Sequence, residues 1–320
     1  MDVDYLIFLQ GLRNEWGGEG FFTLISALPT NPLTAAIPAI LFWCFHKQAG
    51  IFILFNATCG RMINELLKGT FCVYRPYMKD LELIPSAEAM EKASSFSFPS
   101  GHTQFATAIY GGLAYFYRKT FPKLIIPCAI IILAVALSRN FLGVHTPQDV
   151  LVAIVETLAV IFLSDKLFDK MEHDKNFTKT AFIAGAVICV ISALYMMLKS
   201  YPVDYLNGKV IVTETAAKLD SLDSIGCFTA FLIGAALENK FVNFNTNVDL
   251  GVKVRRAIIG GAVGGAAMVL LLLIKLTGFE FFYEFCKGFL PIIAIIFLAP
   301  LTFNYVETKT VYRFKKYKKF

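Results

Sequence analysis

Long apolar runs alternate with short polar connections along the 320 residues of the chain. Several of these runs approach the roughly 20 residues that an α-helix needs to cross a bilayer. The pattern therefore predicts an all-α, polytopic membrane helix bundle with about nine spans. The predicted spans lie near residues 31–46, 50–67, 102–117, 124–138, 147–165, 179–199, 223–239, 256–277 and 284–305.

The first 30 residues follow a different pattern, in which Leu, Ile and Phe mix with charged residues such as Arg13 and Glu15. Trp16, before the Gly17-Gly18 pair, is a residue type favoured at membrane–water interfaces. We expect an N-terminal interfacial helical segment here, and a tenth span is the alternative. The predicted domains are residues 1–30 for this segment, 31–170 for a core that carries most of the polar interruptions, and 171–320 for a four-span extension with a basic tail.

Composition agrees with a membrane protein and also constrains the cysteines. Hydrophobic residues make up 56% of the chain and charged residues 17%, and the mean hydropathy is +0.60. These values exclude an ordinary soluble domain. The seven cysteines are odd in number and show no paired spacing, so we expect neither a disulfide framework nor a thiolate metal site.

The basic residues predict the orientation of the helices. With nine spans and an external N-terminus, 18 of the 30 Lys and Arg residues fall on one side of the membrane. That side is expected to be cytoplasmic, because cytoplasmic loops carry an excess of Lys and Arg. The net charge of +6 is thus a topology signal, and we predict a plasma membrane protein with no nucleic-acid partner. The oligomeric state is left open.

Three polar segments interrupt the apolar pattern, and in this topology all three lie on the non-cytoplasmic face. The first runs from Lys68 to Pro76, the second from Pro99 to His102 and the third from Ser138 to Asp149. Charged groups at membrane depth are costly and are usually functional. Together the segments supply three cations, two imidazoles, a carboxylate, a hydroxyl and a glycine turn, a set that can hold a phosphate and break one of its ester bonds.

The first and second segments are suited to anion binding. Lys68 and Arg75 can converge on one anion, because a guanidinium forks onto two oxygens while an ammonium acts as a point charge. Ser100 and Gly101 precede a predicted helix, whose first N–H groups can face an anion. A simple helix cap by Ser100 is the alternative, but a cap does not need His102.

The third segment adds a cation, Arg139, and an imidazole–carboxylate pair. Asp149 follows His145 by four residues at the start of a predicted helix, so it can accept one imidazole N–H and leave the other ring nitrogen as an attacking lone pair. A capping-box role for Asp149 is the alternative, and the two roles are compatible.

Other charged residues inside the predicted spans are assigned structural roles. Arg61 and Glu65 are four residues apart and are expected to form an ion pair. Glu156 lies about two helical turns deeper than Asp149 and is expected to be a buried partner for a cation.

Taken together, the three segments resemble the type 2 phosphatidic acid phosphatase family. Its pattern is Lys, six residues, Arg-Pro; then Pro-Ser-Gly-His; then Ser-Arg, five residues, His, three residues, Asp. Every position is matched from Lys68 to Asp149, and the resemblance covers about residues 50–165.

The resemblance implies roles for individual residues. His145 would be the nucleophile that forms a phosphohistidine, oriented by Asp149, and His102 would protonate the leaving alcohol and then activate water. The expected phosphate-binding residues are Lys68, Arg75, Ser100, Gly101 and Arg139. Because three cations can neutralise the phosphate, we predict no required metal and no other cofactor.

The predicted function is that of an integral membrane phosphatase, which hydrolyses phosphate mono- or diphosphate esters of lipids on the non-cytoplasmic face. Its expected partners are membrane lipids and a phospholipid or prenyl phosphate substrate. A phosphotransferase or a sugar-phosphate phosphatase with the same site stays open, since the nine-span layout is also similar to that of glucose-6-phosphatases. A vanadate haloperoxidase is disfavoured because those enzymes are soluble, and a non-catalytic lipid transporter because binding alone does not need this set of groups.

Overall fold

A computed structural model describes residues 2–91, 93, 95–206 and 209–317 of the chain, and these residues are almost entirely helical. The all-α prediction is confirmed. In chain order the helices are α1 Asp2–Trp16, α2 Glu19–Ala27, α3 Pro32–Ile40, α4 Lys47–Phe71, α5 Pro76–Lys79, α6 Ala87–Glu91, α7 Gly101–Ala106, α8 Gly112–Phe116, α9 Ile125–Phe141, α10 Pro147–His173, α11 Lys175–Leu198, α12 Glu214–Phe241, α13 Leu250–Lys275, α14 Glu280–Ile293 and α15 Ala299–Tyr317.

Wide π-helical turns continue or join several of these helices. Leu41–Phe45 continues α3, Thr107–Gly111 joins α7 to α8, and Ala294–Leu298 joins α14 to α15. Strands β1 (Tyr205–Leu206) and β2 (Lys209–Val210) form a two-residue antiparallel ladder. The predicted basic tail is helical up to Tyr317, and its last residues, 318–320, lie outside the described residues.

The described residues contain six helical stretches that are long and apolar enough to cross a membrane, as a membrane helix bundle requires. They are Glu19–Phe45, Pro122–Phe141, Lys175–Leu198, Glu214–Phe241, Leu250–Lys275 and Glu280–Thr308. The sequence prediction counted nine because it also included α4, α10 and the joined helix α7–α8. Those three helices carry parts of the polar segments, so they are more polar or shorter than the other six.

A turn at residues 28–31 separates α2 from α3, close to residue 30. The first apolar stretch begins at Glu19, so it includes α2, which the sequence analysis placed at the membrane surface. Both α1 and α2 pack against α9, where the ring of Phe22 stacks on Phe141 with 3.9 Å between centroids. An interfacial position for α1 stays a prediction.

Helix α4 is central to the fold, and buried apolar clusters lie on several of its faces. Ile53 packs with side chains of α7–α8, α9 and α10, Leu54 packs with α12 and α15, and Met62 packs with α11 and α12. The C-terminal end of α4, with Lys68, therefore lies between the motif-bearing helices and the C-terminal helices.

An ion pair ties α4 to the C-terminal helices and corrects one prediction. Arg61 donates to the buried carboxylate of Asp223 on α12, and not to Glu65. Lys287 of α14 is 3.8 Å from the same carboxylate. A Cβ atom on Gly288 would lie 1.9 Å from the backbone oxygen of Asp223, so only glycine allows α14 to approach α12 this closely.

Candidate active site

The third polar segment forms a tight connection between α9 and α10. Thr146 caps α10: Asp149 N donates to its hydroxyl at 3.4 Å, and its own backbone N–H donates to Asp149 Oδ2 at 2.8 Å. The capping box proposed from the sequence is present. Gly143 adopts a left-handed φ of 74°, and a Cβ there would lie 3.2 Å from Pro85 Cα. The connection thus holds His145 in one position.

The buried imidazole of His145 is held on its Nδ1 side by two groups. Nδ1 lies 3.4 Å from Asp149 Oδ2 and 3.3 Å from Ser97 Oγ. Ser97 Oγ donates to Asp149 Oδ2 at 2.6 Å, so the serine links both members of the pair. Ser97 is not among the site residues expected from the sequence. Its signal was only a small polar residue two positions before Pro99, which is common in any connection.

The opposite nitrogen of His145 faces Arg75. The Arg75 guanidinium donates to the backbone oxygens of Ser95, at 2.9 Å, and Val144, at 3.1 Å, and its Nη1 lies 3.2 Å from His145 Nε2. A guanidinium can only donate, so Nε2 accepts and the ring proton is assigned to Nδ1. This tautomer leaves the Nε2 lone pair directed at a cation that can also bind phosphate.

The surroundings of His145 favour its neutral form. Burial lowers the pKa of His145 well below its ordinary value, and the nearby Arg75 charge acts in the same direction against the attraction of Asp149. Burial also lowers the pKa of Arg75. A neutral imidazole is the form with a free lone pair for attack on phosphorus.

This lowered pKa predicts a stability change with pH. Unfolded His145, with a pKa of about 6.5, takes up a proton as the pH falls below that value, whereas the folded protein does not. Wild-type protein is expected to lose about 2 kcal/mol more than His145→Gln between pH 6.5 and pH 5, because glutamine does not titrate. The measurement is the free energy of unfolding of each protein in detergent solution at both pH values. Parallel losses in the two proteins would contradict the buried neutral imidazole.

The other two predicted cations, Lys68 and Arg139, are buried and each is held by a residue that the sequence analysis did not assign to it. Lys68 Nζ donates to Glu65 Oε1 at 2.7 Å, one helical turn away on α4. Arg139 Nη1 donates to Ser26 Oγ of α2 at 2.5 Å, and its Nε has no hydrogen-bond partner among the described residues. Glu65 could have been found by its i,i+3 spacing from Lys68.

The second polar segment is joined to the third by its backbone. The Ser100 amide donates to the backbone oxygen of Asp149 at 3.0 Å, and the buried Ser100 hydroxyl accepts from Thr103 at 3.1 Å. A Cβ on Gly101 would meet only Asn64 Oδ1, at 3.9 Å, so packing within the protein does not require glycine there. The glycine leaves space beside the backbone for another molecule.

His102 is partly buried and lies within electrostatic range of four of the other predicted site residues. These are Arg139, His145, Arg75 and Lys68. The structure thus brings all eight predicted residues into one region where the three segments meet. Contacts at hydrogen-bond distance join Arg75, Ser100, His145 and Asp149 directly or through one another. Lys68 and Arg139 lie within electrostatic range of His102, and Arg139 also lies within that range of His145.

Glu156 does not meet a cation at contact distance, contrary to expectation. Its Oε1 accepts from Asn64 Nδ2 at 2.6 Å, while Lys68, a site cation that interacts with it electrostatically, is paired with Glu65. The pairing with Asn64 arises because α4 turns that residue toward α10. Within the described residues, no group of three or more His, Cys, Asp and Glu side chains has an arrangement that could hold a metal ion.

Ser97 is expected to position the nucleophilic pair. Replacing Ser97 with alanine removes the hydroxyl that holds Asp149 and His145, and we expect kcat for phosphate release to fall about tenfold with little change in KM. Ser86→Ala is the matched control, because its buried hydroxyl has no hydrogen-bond partner among the described residues. Equal kcat values for the two variants would show that Ser97 does not position the pair.

Two family models match separate parts of the chain. Residues 49–171 match the model of the PAP2 superfamily, and residues 222–310 match that of the PAP2 superfamily phosphatase, transmembrane extension. Phosphatidylglycerophosphatase B of Bacillus subtilis (strain 168) is 32% identical over 172 residues, which are 51% of this chain and 80% of that protein. A crystal structure of the first transmembrane PAP2 type phosphatidylglycerolphosphate phosphatase from Bacillus subtilis is 29% identical and covers 53% of this chain and 85% of its own, with a TM-score of 0.44.

Proposed function

We propose that this chain, which belongs to the PAP2 superfamily, hydrolyses phosphate esters of lipids through a phosphohistidine at His145. The family expected from the three polar segments is confirmed. The prediction of a membrane phosphatase of this family is confirmed as well. The observation that carries the mechanism is the buried His145, whose Nδ1 faces Asp149 while its Nε2 faces Arg75. This arrangement supplies an oriented nucleophile beside a phosphate-binding cation.

In the first step, the phosphate group of the substrate replaces His145 Nε2 as the hydrogen-bond acceptor of Arg75 Nη1. The Nε2 lone pair attacks phosphorus, and the bond from phosphorus to the leaving oxygen breaks. His102 donates a proton to that oxygen, so the product leaves as a neutral alcohol. The positive charge that develops on the imidazole is stabilised by Asp149 through Nδ1–H.

In the second step, neutral His102 accepts a proton from water as the water oxygen attacks the phosphohistidine. The phosphorus–nitrogen bond breaks, its electron pair returns to Nε2 of His145, and inorganic phosphate is released. Both histidines regain their starting protonation states, so the cycle is balanced.

The non-bridging phosphate oxygens would be held by three cations and by the second polar segment. Lys68 and Arg75 exchange their present protein partners for phosphate, and Arg139 Nε, which has no hydrogen-bond partner among the described residues, can donate to phosphate. The hydroxyl of Ser100 and the backbone beside Gly101 complete the set. Because these cations neutralise the developing charge, the reaction needs no metal and is expected to continue in a chelator.

A lipid phosphate is the substrate class that agrees best with the position of the site. The catalytic helices are embedded among apolar stretches that could span a membrane, and the similar protein of Bacillus subtilis is a phosphatidylglycerophosphatase. We propose phospholipid or prenyl phosphate esters, hydrolysed at the non-cytoplasmic face of the plasma membrane. In this topology α4, α7–α8 and α10 also cross the membrane, which gives nine spans, and α1 lies at the interface.

The test is a phosphate-release assay on detergent-purified protein, with lipid and water-soluble phosphates compared in the presence of EDTA. Added acceptor alcohols distinguish hydrolysis from phosphate transfer by their products. Hydrolysis of lipid phosphates in EDTA is the expected result. Turnover confined to sugar phosphates would overturn the lipid assignment, and complete loss of activity in EDTA would overturn metal independence.

A further inference from the structure

The carbonyl groups in the last turn of α4 are unfavourable for anion binding at the proposed phosphate site. Lys68 lies in this turn, and the helix ends at Phe71, only four residues before Arg75. The last carbonyl groups of a helix carry a partial negative charge of about half an electron. The turn that supplies Lys68 therefore also places acceptor oxygens close to where an anion is expected to bind.

Lys199, which follows α11, covers these carbonyl groups. Its Nζ donates to the backbone oxygens of Gly69 and of Thr70, the latter at 3.1 Å, and lies 3.8 Å from Cys72 Sγ. Cys72 has a left-handed φ of 48°, and its amide donates to Lys68 O at 3.0 Å. An ammonium group from outside the motif-bearing region thus binds the end of the helix that carries Lys68.

Two tyrosines hold the segment around Lys199 against the same turn. The hydroxyls of Tyr195 and Thr70 are 3.0 Å apart. The Tyr201 hydroxyl donates to Met196 O at 3.1 Å, and a Cβ on Gly69 would lie 3.1 Å from that hydroxyl. The ring of Tyr201 stacks on Phe96, one residue before Ser97. The contacts of residues 195–201 therefore extend from the end of α4 to the loop that carries Ser97.

We propose that Lys199 is a positioning residue of the phosphate site, a proposal that rests on the proposed function. Its charge offsets the negative end of α4, and its hydrogen bonds fix the turn between Lys68 and Arg75. Without this charge, the Gly69 and Thr70 oxygens would repel a bound phosphate. The segment that follows α11 would in this way complete an anion site whose motif residues all come from earlier in the chain.

The test compares Lys199→Met with Lys199→Arg in purified full-length protein. Lys199→Met is expected to raise KM and the inhibition constant of inorganic phosphate about fivefold, with kcat changed by less than twofold. Lys199→Arg should restore both constants, since arginine can donate to the same carbonyls. Lys179→Met is the matched control, because it removes an exposed lysine from the other end of α11.

Two results would contradict the proposed role of Lys199. A lower melting temperature for Lys199→Met with unchanged constants would mean a purely structural role and would overturn the proposal. If Lys199→Met does not fold, Lys199→Gln replaces it, since glutamine keeps a donor without the charge; wild-type constants in this variant would also overturn the proposal. If wild-type protein releases no phosphate, the proposed function is wrong. The rise in melting temperature that orthovanadate causes in each variant then still measures anion binding.

Discussion

Replacing His145 with alanine is expected to reduce the release of inorganic phosphate at least about 10³-fold. The substitution removes the group that we propose attacks phosphorus, while Lys68, Arg75 and Arg139, the proposed phosphate-binding cations, are retained. We therefore expect the loss in kcat, with a smaller change in KM. The measurement is phosphate release at saturating lipid phosphate in detergent.

The control for this variant is His173→Ala, which removes an exposed imidazole from the end of α10. During turnover of a substrate whose phosphate group is radiolabelled, wild-type protein should also become labelled. The label should be stable in alkali and lost in acid, as a phosphohistidine is. His145→Ala should carry no such label. Labelled His145→Ala, or turnover within tenfold of wild type, would show that another residue attacks phosphorus.

Replacing His102 with alanine is expected to have an effect that depends on the leaving group. For alkyl phosphates, loss of the general acid should reduce the first step about 10²- to 10⁴-fold, because an alkoxide is a poor leaving group. An aryl phosphate such as p-nitrophenyl phosphate releases a stable anion without protonation. Its first step should therefore be much less affected.

The second step should then limit turnover of the aryl ester, because no base activates water. His102→Ala is expected to release a burst of p-nitrophenolate equal to the enzyme concentration and to accumulate phosphohistidine. Rapid-mixing absorbance measures the burst, and His173→Ala again serves as the control. Equal losses on alkyl and aryl esters, with no burst, would mean that His102 binds phosphate and does not transfer protons.

Local features of the chain could be predicted because they depend on short sequence separations. The bilayer forces each apolar run to satisfy its own backbone hydrogen bonds, so long runs become helices whatever their neighbours are. Thr146 and Asp149 form their capping box within one helical turn, and the i,i+4 spacing places Asp149 beside His145. The three motif segments were recognisable for the same reason, since each is continuous in the sequence.

The partners of the charged groups could not be predicted in this way. Arg61 pairs with Asp223 across 162 residues, Arg139 binds Ser26 across 113, and Ser97 joins Asp149 across 52. Each pair depends on how two helices or loops approach each other, and sequence spacing carries no information about that approach.

The amino-acid sequence by itself determined the helical membrane class, the family and the residues of the three polar segments. Only the tertiary structure decided that Nε2 of His145 faces Arg75, that Arg139 binds Ser26, and that Lys199 covers the end of α4. The physical reason is that buried charged and polar groups must find partners within about 3 Å. Which partner is within reach is set by helix packing, and many distant residues determine that packing jointly.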